Sequence, residues 1–247
     1  MPKRSYDGKF VMFDPSRTKK DIHNTFRGFD VEALPVVPDD EVEELSASIH
    51  KYILTVVCRG DVKAAKGLTD WLAYLFKHPG LRSKIAPLLY GALDCKLEEF
   101  VQWVGVLIGS RYTAHILGKT KSKRKQNFNE KLLIHDTTVS DSVKGYIRDQ
   151  EYLWDAHCYL RVDSYHNVIF TTSNRAVAAK ACENWKIGVF SCVACEDYEV
   201  LKTQMLDPRV QLAFYQSLLK RDLSTYLIGW ANDFVSVLRT EARGVTV

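Results

Sequence analysis

The sequence KLEEFVQWVGVLIGSRYTAHIL, at residues 96–117, contains the longest apolar run of the chain, from Val104 to Gly109. Before that run, apolar residues recur at three- and four-residue spacing, which is the period of a helix face. Because apolar residues cover most of the helix circumference, the stretch predicts a central, buried helix. A transmembrane helix needs roughly 20 apolar residues, so no membrane-spanning segment is expected.

Helical periodicity also continues on both sides of this stretch. Apolar spacing predicts one helix from Asp39 to Gly60 and a second that ends at His78-Pro79-Gly80. Asp207-Pro208 combines an N-cap residue with proline at the first helical position, so a helix is expected to start there. The remaining predicted helices are a short one around Pro87, a modest one at 140–154, one that follows Ser173 or Asn174, and a last one over 222–241.

Residues 1–38 predict an extended arm. The run Leu-Pro-Val-Val-Pro at 34–38 biases its neighbours away from helix. Aromatic residues such as Phe10 and Phe26 are spread along the arm, so we expect it to pack on a folded body. An arm of this kind is suited to a neighbouring subunit, and the sequence therefore predicts homo-oligomers formed through it.

The second half of the chain contains the predicted strands. Residues 157–163 and 167–172 alternate and are joined by a short polar turn, which predicts a β-hairpin, and residues 187–194 predict a third strand. The expected fold class is mainly α (α+β), with a small β-hairpin or short sheet inserted in a helical C-terminal half. The predicted organisation is an arm at 1–38, a helical bundle at 39–118, a basic loop at 119–131 and an α+β region at 132–247 that either stands apart from the bundle or forms one domain with it.

Positive charge is concentrated in one short segment, residues 119–131. The formal net charge of the chain is +4, but this segment alone carries +5 and the rest of the chain carries −1. Such a cluster attracts phosphates or an anionic surface through counterion release, and one aromatic residue within it could stack on a base. The predicted anion- or nucleic-acid-binding residues are Lys119, Lys121, Lys123, Arg124, Lys125, Phe128 and Lys131.

Six cysteines raise the question of a metal site. Cys192 and Cys195 have a two-residue spacing, but zinc usually requires a second such pair, which the sequence lacks. Cys182 and His157 are the nearest additional candidates, and buried free thiols are the competing interpretation. No cofactor is predicted.

Common catalytic motifs are absent: the sequence has no phosphate-binding Gly-x-x-x-x-Gly-Lys motif, no His-Glu-x-x-His motif and no nucleophile elbow. The chain is therefore expected to be a non-enzymatic binding or assembly protein that engages RNA, other nucleic acid or an anionic membrane surface. Matrix and nucleocapsid proteins of RNA viruses share this outline, although no residue motif supports the analogy.

Two alternatives remain open at this level. The first is a nuclear adaptor whose basic segment is an import signal bound by an importin. The second is an enzyme with a site assembled in space around His157, His166, Cys192 and Cys195. Because the N-terminus lacks a signal-peptide pattern, a cytoplasmic, nuclear or virion location is expected.

Overall fold

The computed structural model describes residues 10–17, 20–81, 83, 85–117, 132–136, 167–182 and 187–226. These residues confirm the mainly α (α+β) fold class. The strands are β1 (Phe10–Met12), β2 (Ile22–Asn24), β3 (Ala86–Tyr90), β4 (Thr113–Leu117), β5 (Leu132–Asp136), β6 (Asn167–Thr172) and β7 (Ile187–Ser191). The helices are α1 (Val42–Tyr52), α2 (Val62–Lys77), α3 (Leu97–Ile108), α4 (Arg175–Ala181), α5 (Tyr198–Leu206) and α6 (Pro208–Lys220).

A five-stranded parallel sheet forms the centre of the molecule. Its strand order is β4-β5-β6-β3-β7, and every pairing is parallel. Parallel strands covered on both faces are apolar along nearly their whole length, and all six residues of β6 are buried. The sheet takes β3 and β4 from the sequence before the basic segment and β5, β6 and β7 from the sequence after it.

Apolar side chains pack on both faces of this sheet. On one face, Leu89, Ile169 and Phe190 join the large core formed with α1, α2, α3, α5 and α6. On the other face, Leu88 and Phe170 pack with α4 in a smaller cluster. The sheet therefore lies between two layers of helix, as expected when right-handed crossovers connect parallel strands.

The helix starts follow local capping chemistry. The Asp61 carboxylate accepts hydrogen bonds from the backbone N–H groups of Lys63 and Ala64, at 2.8 and 3.0 Å, and caps α2. At α6, the Asp207 carboxylate accepts from the Arg209 N–H at 2.8 Å, with Pro208 at the first helical position. The helix start predicted from Asp207-Pro208 is confirmed.

The described part of the N-terminal arm packs on the body of its own chain. Phe13 and Phe26 contact the Tyr112 ring at centroid distances of 5.5 and 5.3 Å, and the Phe29 ring meets Phe76 of α2 at 5.1 Å. All of these aromatic rings are buried. Because the chain itself covers them, they give no independent reason for self-association, which stays a prediction.

The structure corrects two predicted helices. The short helix expected around Pro87 is strand β3, where Pro87 precedes the ladder with β6 that begins at Leu88. The helix predicted over residues 96–117 ends at Ile108, because Gly109 adopts φ +107° and turns the chain into β4. Apolar periodicity does not distinguish a buried helix from a buried parallel strand.

Other predictions are tested only in part. Of the predicted hairpin, residues 167–172 form β6, but its neighbours are the parallel strands β5 and β3, and residues 157–163 lie outside the described residues. The helices expected at 140–154 and over most of 222–241 also lie outside them. Within the described ranges, no helix has the length and apolar character needed to span a bilayer.

Candidate functional site

The carboxyl ends of the strands meet at one edge of the sheet, where ligands bind in open α/β folds. A crevice forms where the connections that follow two neighbouring strands leave in opposite directions. Strands β3 and β6 are such a pair. From β3 the chain crosses to β4 at the far edge, whereas from β6 it crosses past β3 to β7 on the other side. The loop after β3 and the end of β6 are therefore the expected walls of a binding site.

A cavity of about 230 Å³ lies at this point. Its walls are the loop between β3 and α3, the first turn of α3, and the residues that end and follow β6. The lining residues are Gly91, Ala92, Leu93, Lys96, Leu97, Glu98, Glu99, Thr171, Thr172 and Ser173.

Gly91 allows the loop after β3 to approach its neighbours closely. A Cβ atom at this position would lie 2.7 Å from the Cys95 Sγ and 3.1 Å from the Cys192 Cβ. The Gly91 N–H also donates to the Thr172 carbonyl at 3.1 Å, which joins the loop to the end of β6. A side chain at this position would therefore displace the loop from Cys95 and Cys192 and disturb this wall of the cavity.

Lys96 is the basic residue in the cavity wall. It precedes α3 in the left-handed conformation, with φ 56° and ψ 36°, which costs free energy for a residue other than glycine. Its Nζ lies 3.9 Å from the Glu99 Oε1 and 5.4 Å from the centre of the Tyr198 ring. The ammonium group is thus placed between a half-exposed carboxylate and an aromatic face, on a residue that lines the cavity.

Carboxylates make the cavity electrostatically mixed. Glu98 and Glu99 occupy the first turn of α3, where the helix dipole favours negative charge. Asp136 is the last residue of β5 and pairs in register with Thr171 of the cavity wall. Lys96, Glu98 and Glu99 thus bring a cation and hard oxygen ligands to the same cavity wall.

A cluster of thiols lies beneath the loop. The Cys192 Sγ donates to the Val57 carbonyl at 3.3 Å, and the Tyr52 hydroxyl donates to the Cys95 carbonyl at 3.0 Å. Burial is the main cause that raises the pKa of Cys58, Cys95, Cys192 and Cys195. These groups are therefore neutral thiols at neutral pH, and they support the loop from below.

The predicted metal candidates do not come together. Cys192 and Cys195 pack against the large core, whereas Cys182 packs against the smaller cluster on the opposite face of the sheet. No group of three His, Cys, Asp or Glu side chains within the described ranges has the arrangement of a metal site. His157 and His166 lie outside those ranges.

The predicted anion-binding residues also lie outside the described residues. Lys119, Lys121, Lys123, Arg124, Lys125, Phe128 and Lys131 belong to the connection between β4, which ends at Leu117, and β5, which begins at Leu132. Their assignment stays a prediction.

Sequence reasoning missed the cavity because it assigned β3 to a helix. The pattern that could have revealed it is a short apolar strand, Leu88 to Tyr90, that ends directly before Gly91. A loop then leads to Lys96 and the apolar helix α3. A strand–loop–helix unit of this kind is a frequent phosphate-binding arrangement.

The fold is similar to that of the C-terminal region of NrS-1. The apo structure of its region 305–718 gives a TM-score of 0.58 at 12% identity, and the match covers 96% of this chain and 64% of that one. Two apo structures of the A form each give a TM-score of 0.56, at 12% and 13% identity, over 96% of this chain and 63% of theirs. This chain therefore spans less than two thirds of the region that it matches.

The sequence matches no protein-family model and no curated protein. The structural likeness nevertheless corrects one prediction. A non-enzymatic protein was expected because common catalytic motifs are absent, and that expectation is wrong, since the structural likeness points to an enzyme-related fold. The helical content agrees with the sequence-based prediction, whereas nucleic-acid binding stays a proposal.

Proposed function

We propose that this chain binds a nucleotide, with its phosphates in the cavity between the β3–α3 loop and the end of β6. The observation that carries the proposal is the position of this cavity at the carboxyl ends of parallel strands, with Lys96 in its wall at the start of α3. Helix N-termini and lysine side chains both favour phosphate groups. The enzyme-related fold is consistent with a nucleotide ligand.

The size of the cavity determines which part of the ligand it holds. Sites for whole small molecules usually measure about 300–1,000 Å³. At about 230 Å³, the cavity suits a short phosphate chain, and the nucleoside would extend beyond it. The Leu93 side chain, which is 79% exposed in the cavity wall, offers an apolar surface near the opening.

The carboxylates of the site make a divalent cation part of the proposal. Glu98 and Glu99 would repel a bare phosphate chain, whereas a phosphate-bound Mg²⁺ removes that repulsion and can accept carboxylate ligands. Asp136, in register with Thr171, ends a strand at the same edge. We therefore expect binding of the Mg²⁺ complex and not of the free nucleotide.

The loop departs from the usual phosphate-binding sequence, which has a second glycine before the lysine and Ser or Thr after it. Cys95 precedes Lys96, Leu97 follows it, and the interval from Gly91 to Lys96 is one residue shorter. Fewer backbone N–H groups of the loop, and no hydroxyl directly after the lysine, are then available to the phosphates and the metal ion. We expect weaker binding than in a full loop of that type.

Calorimetric titration of the protein with ATP tests the proposal. Binding is expected with Mg²⁺ present and is expected to disappear when EDTA removes the cation. Lys96→Ala should weaken binding about tenfold or more because a charge-assisted phosphate contact is lost. The control is Lys202→Ala, which removes an exposed lysine from α5. Equal binding by the two variants would contradict the proposal.

A second candidate function is nucleic-acid binding by the basic segment 119–131. It is supported by the +5 charge of that segment, which follows β4 and precedes β5 along the chain. If three to five phosphates of duplex DNA are contacted, log K should fall with log salt at a slope of roughly −3 to −4.5. An importin remains an alternative partner of the same segment.

Alanine at Lys121, Lys123, Arg124 and Lys125 tests this second function. The expected result is loss of most nucleic-acid affinity in a fluorescence-anisotropy titration, with a flatter salt dependence. A matched control removes four exposed lysines elsewhere, Lys51, Lys63, Lys202 and Lys220. Equal loss in both variants would indicate a general charge effect. Retained affinity together with loss of nuclear entry would favour the import signal.

A further inference from the structure

Arg59 is an exposed cation at the carboxyl edge of the sheet. It does not line the cavity. Its Nη1 donates to the Ser191 Oγ at 3.3 Å, and Ser191 is the last residue of β7. Ser191 pairs in register with Tyr90, the residue before Gly91 of the cavity wall. Ser191 is therefore about one strand spacing, ~4.8 Å, from the end of β3, and its hydroxyl accepts the bond from the guanidinium group.

The backbone holds Arg59 in place at an energetic cost. Arg59 has φ 51°, in the left-handed region that residues with a side chain rarely adopt, and Gly60 follows with φ 81°. The Gly60 N–H donates to the Leu54 carbonyl at 2.7 Å, and the Val193 N–H donates to the Val56 carbonyl at 3.0 Å. The first bond closes the turn after α1, and the second joins this turn to the segment that follows β7. The backbone of Arg59 is therefore held beside the edge of the sheet.

The partner of Arg59 differs from that of three other arginines of the described residues. Its hydrogen-bond partner is a neutral hydroxyl, and it belongs to none of the ion pairs found within the described ranges. Such a guanidinium group keeps its capacity for an anionic or planar ligand. Three other arginines each pair with a carboxylate: Arg111 with Asp30, Arg209 with Glu41 and Arg221 with Asp70.

The distribution of charge indicates the direction in which a nucleotide would leave the cavity. On the β5 side, the strand ends at an acidic residue, Asp136. On the β7 side, Arg59 adds positive charge next to the end of β3. A ligand whose phosphates fill the cavity and whose remaining part is anionic or aromatic would extend over β3 toward β7.

We propose that Arg59 binds the part of the nucleotide outside the cavity, contacting the phosphate or base at the nucleoside end across the β3 and β7 strand ends. This inference rests on the proposed nucleotide-binding function. Arg59 is then a recognition residue that distinguishes a nucleotide from an inorganic phosphate chain. The Ser191 hydroxyl orients the guanidinium group before the ligand binds.

Two ligands test the inference in Mg²⁺-containing buffer: pyrophosphate, which the cavity can enclose, and ATP, which extends beyond it. Arg59→Ala should weaken ATP binding about tenfold and leave pyrophosphate binding unchanged, and Arg59→Lys should give an intermediate loss for ATP. Both variants keep a side chain at φ 51°, so the backbone strain is retained. Arg209→Ala on α6 is the matched control and should bind both ligands as the parent protein does.

The variants are compared only if each has the melting temperature of the parent protein. Unchanged ATP binding by Arg59→Ala would overturn the role of Arg59 while the nucleotide-binding proposal survives. Equal weakening of both ligands would also overturn it, because Arg59 would then act on the cavity itself. Failure of the parent protein to bind either ligand would overturn the proposed function and this inference together.

Discussion

Helices α6 and α3 start in opposite ways. The α6 start is closed by its own sequence, since Asp207 caps the first turn and Pro208 occupies the first helical position. The α3 start has no side-chain cap, and a lysine in the left-handed conformation precedes it. The α6 start stabilises its helix, whereas the α3 start lowers the stability of the fold at the wall of a cavity. Local strain of this kind is typical of functional sites.

The largest expected change in the free energy of unfolding concerns His50, which packs against α6. The Nε2 atom of His50, on α1, lies 2.9 Å from the Ser217 Oγ, and the imidazole ring packs against the Phe214 ring. Burial, with a contribution from Arg221, lowers the pKa of His50 from 6.5 to about 4. The unfolded chain therefore takes up this proton at higher pH than the folded protein, and stability falls as pH decreases from about 6.5 to about 4.

The measurement is urea unfolding at pH 7, 5 and 4 for the parent protein and for His50→Gln. The pKa difference corresponds to a loss on the order of 3 kcal/mol in the parent protein, and the variant should lack that part of the loss. Parallel pH dependence in both proteins would contradict the assignment to His50.

The next effect concerns the loop before α3. Gly91→Val should lower the free energy of unfolding by about 1–3 kcal/mol, because its Cβ would meet the Cys95 Sγ. Gly91→Ala, which adds only the Cβ, should cost less. Urea unfolding measures both, and a neutral Gly91→Val would show that the loop has room to move away.

Removal of the α6 cap gives a smaller effect. Asp207→Ala should cost about 1 kcal/mol, and Asp207→Asn should restore most of it, because asparagine also caps helices. Nucleotide binding should not change in either variant. A clear loss of binding would mean that the two helix starts are not functionally separate.

The smallest expected change in stability has the opposite sign. Lys96→Gly relieves the left-handed backbone at the start of α3, so it should raise the free energy of unfolding by up to about 1 kcal/mol. The same change should weaken binding of Mg²⁺-bound ATP at least as much as Lys96→Ala does. Lower stability of Lys96→Gly would show that this lysine is not strained.

The sequence predicted most of the helices and missed three of the five strands of the sheet, for a physical reason. Asp207-Pro208 and the apolar spacing of α1 and α2 are local features, so they could be recognised in one dimension. Strands β3 and β4 are short and apolar, and their neighbours lie far along the chain, so periodicity alone gave helix. The cavity requires Gly91 and Thr172 to be adjacent, and only the pairing of β3 with β6 brings them together.

The pairing of β3 with β7 also determines how the polypeptide can fold. Ala86 pairs with Ile187, roughly a hundred residues later, so closing this contact carries a large entropic cost and slow formation is expected. During synthesis, Leu88 and Leu89 emerge long before the partners that bury them. A nascent chain that stops before β6 therefore exposes an unpaired apolar strand, which makes it prone to aggregation and a substrate for chaperones.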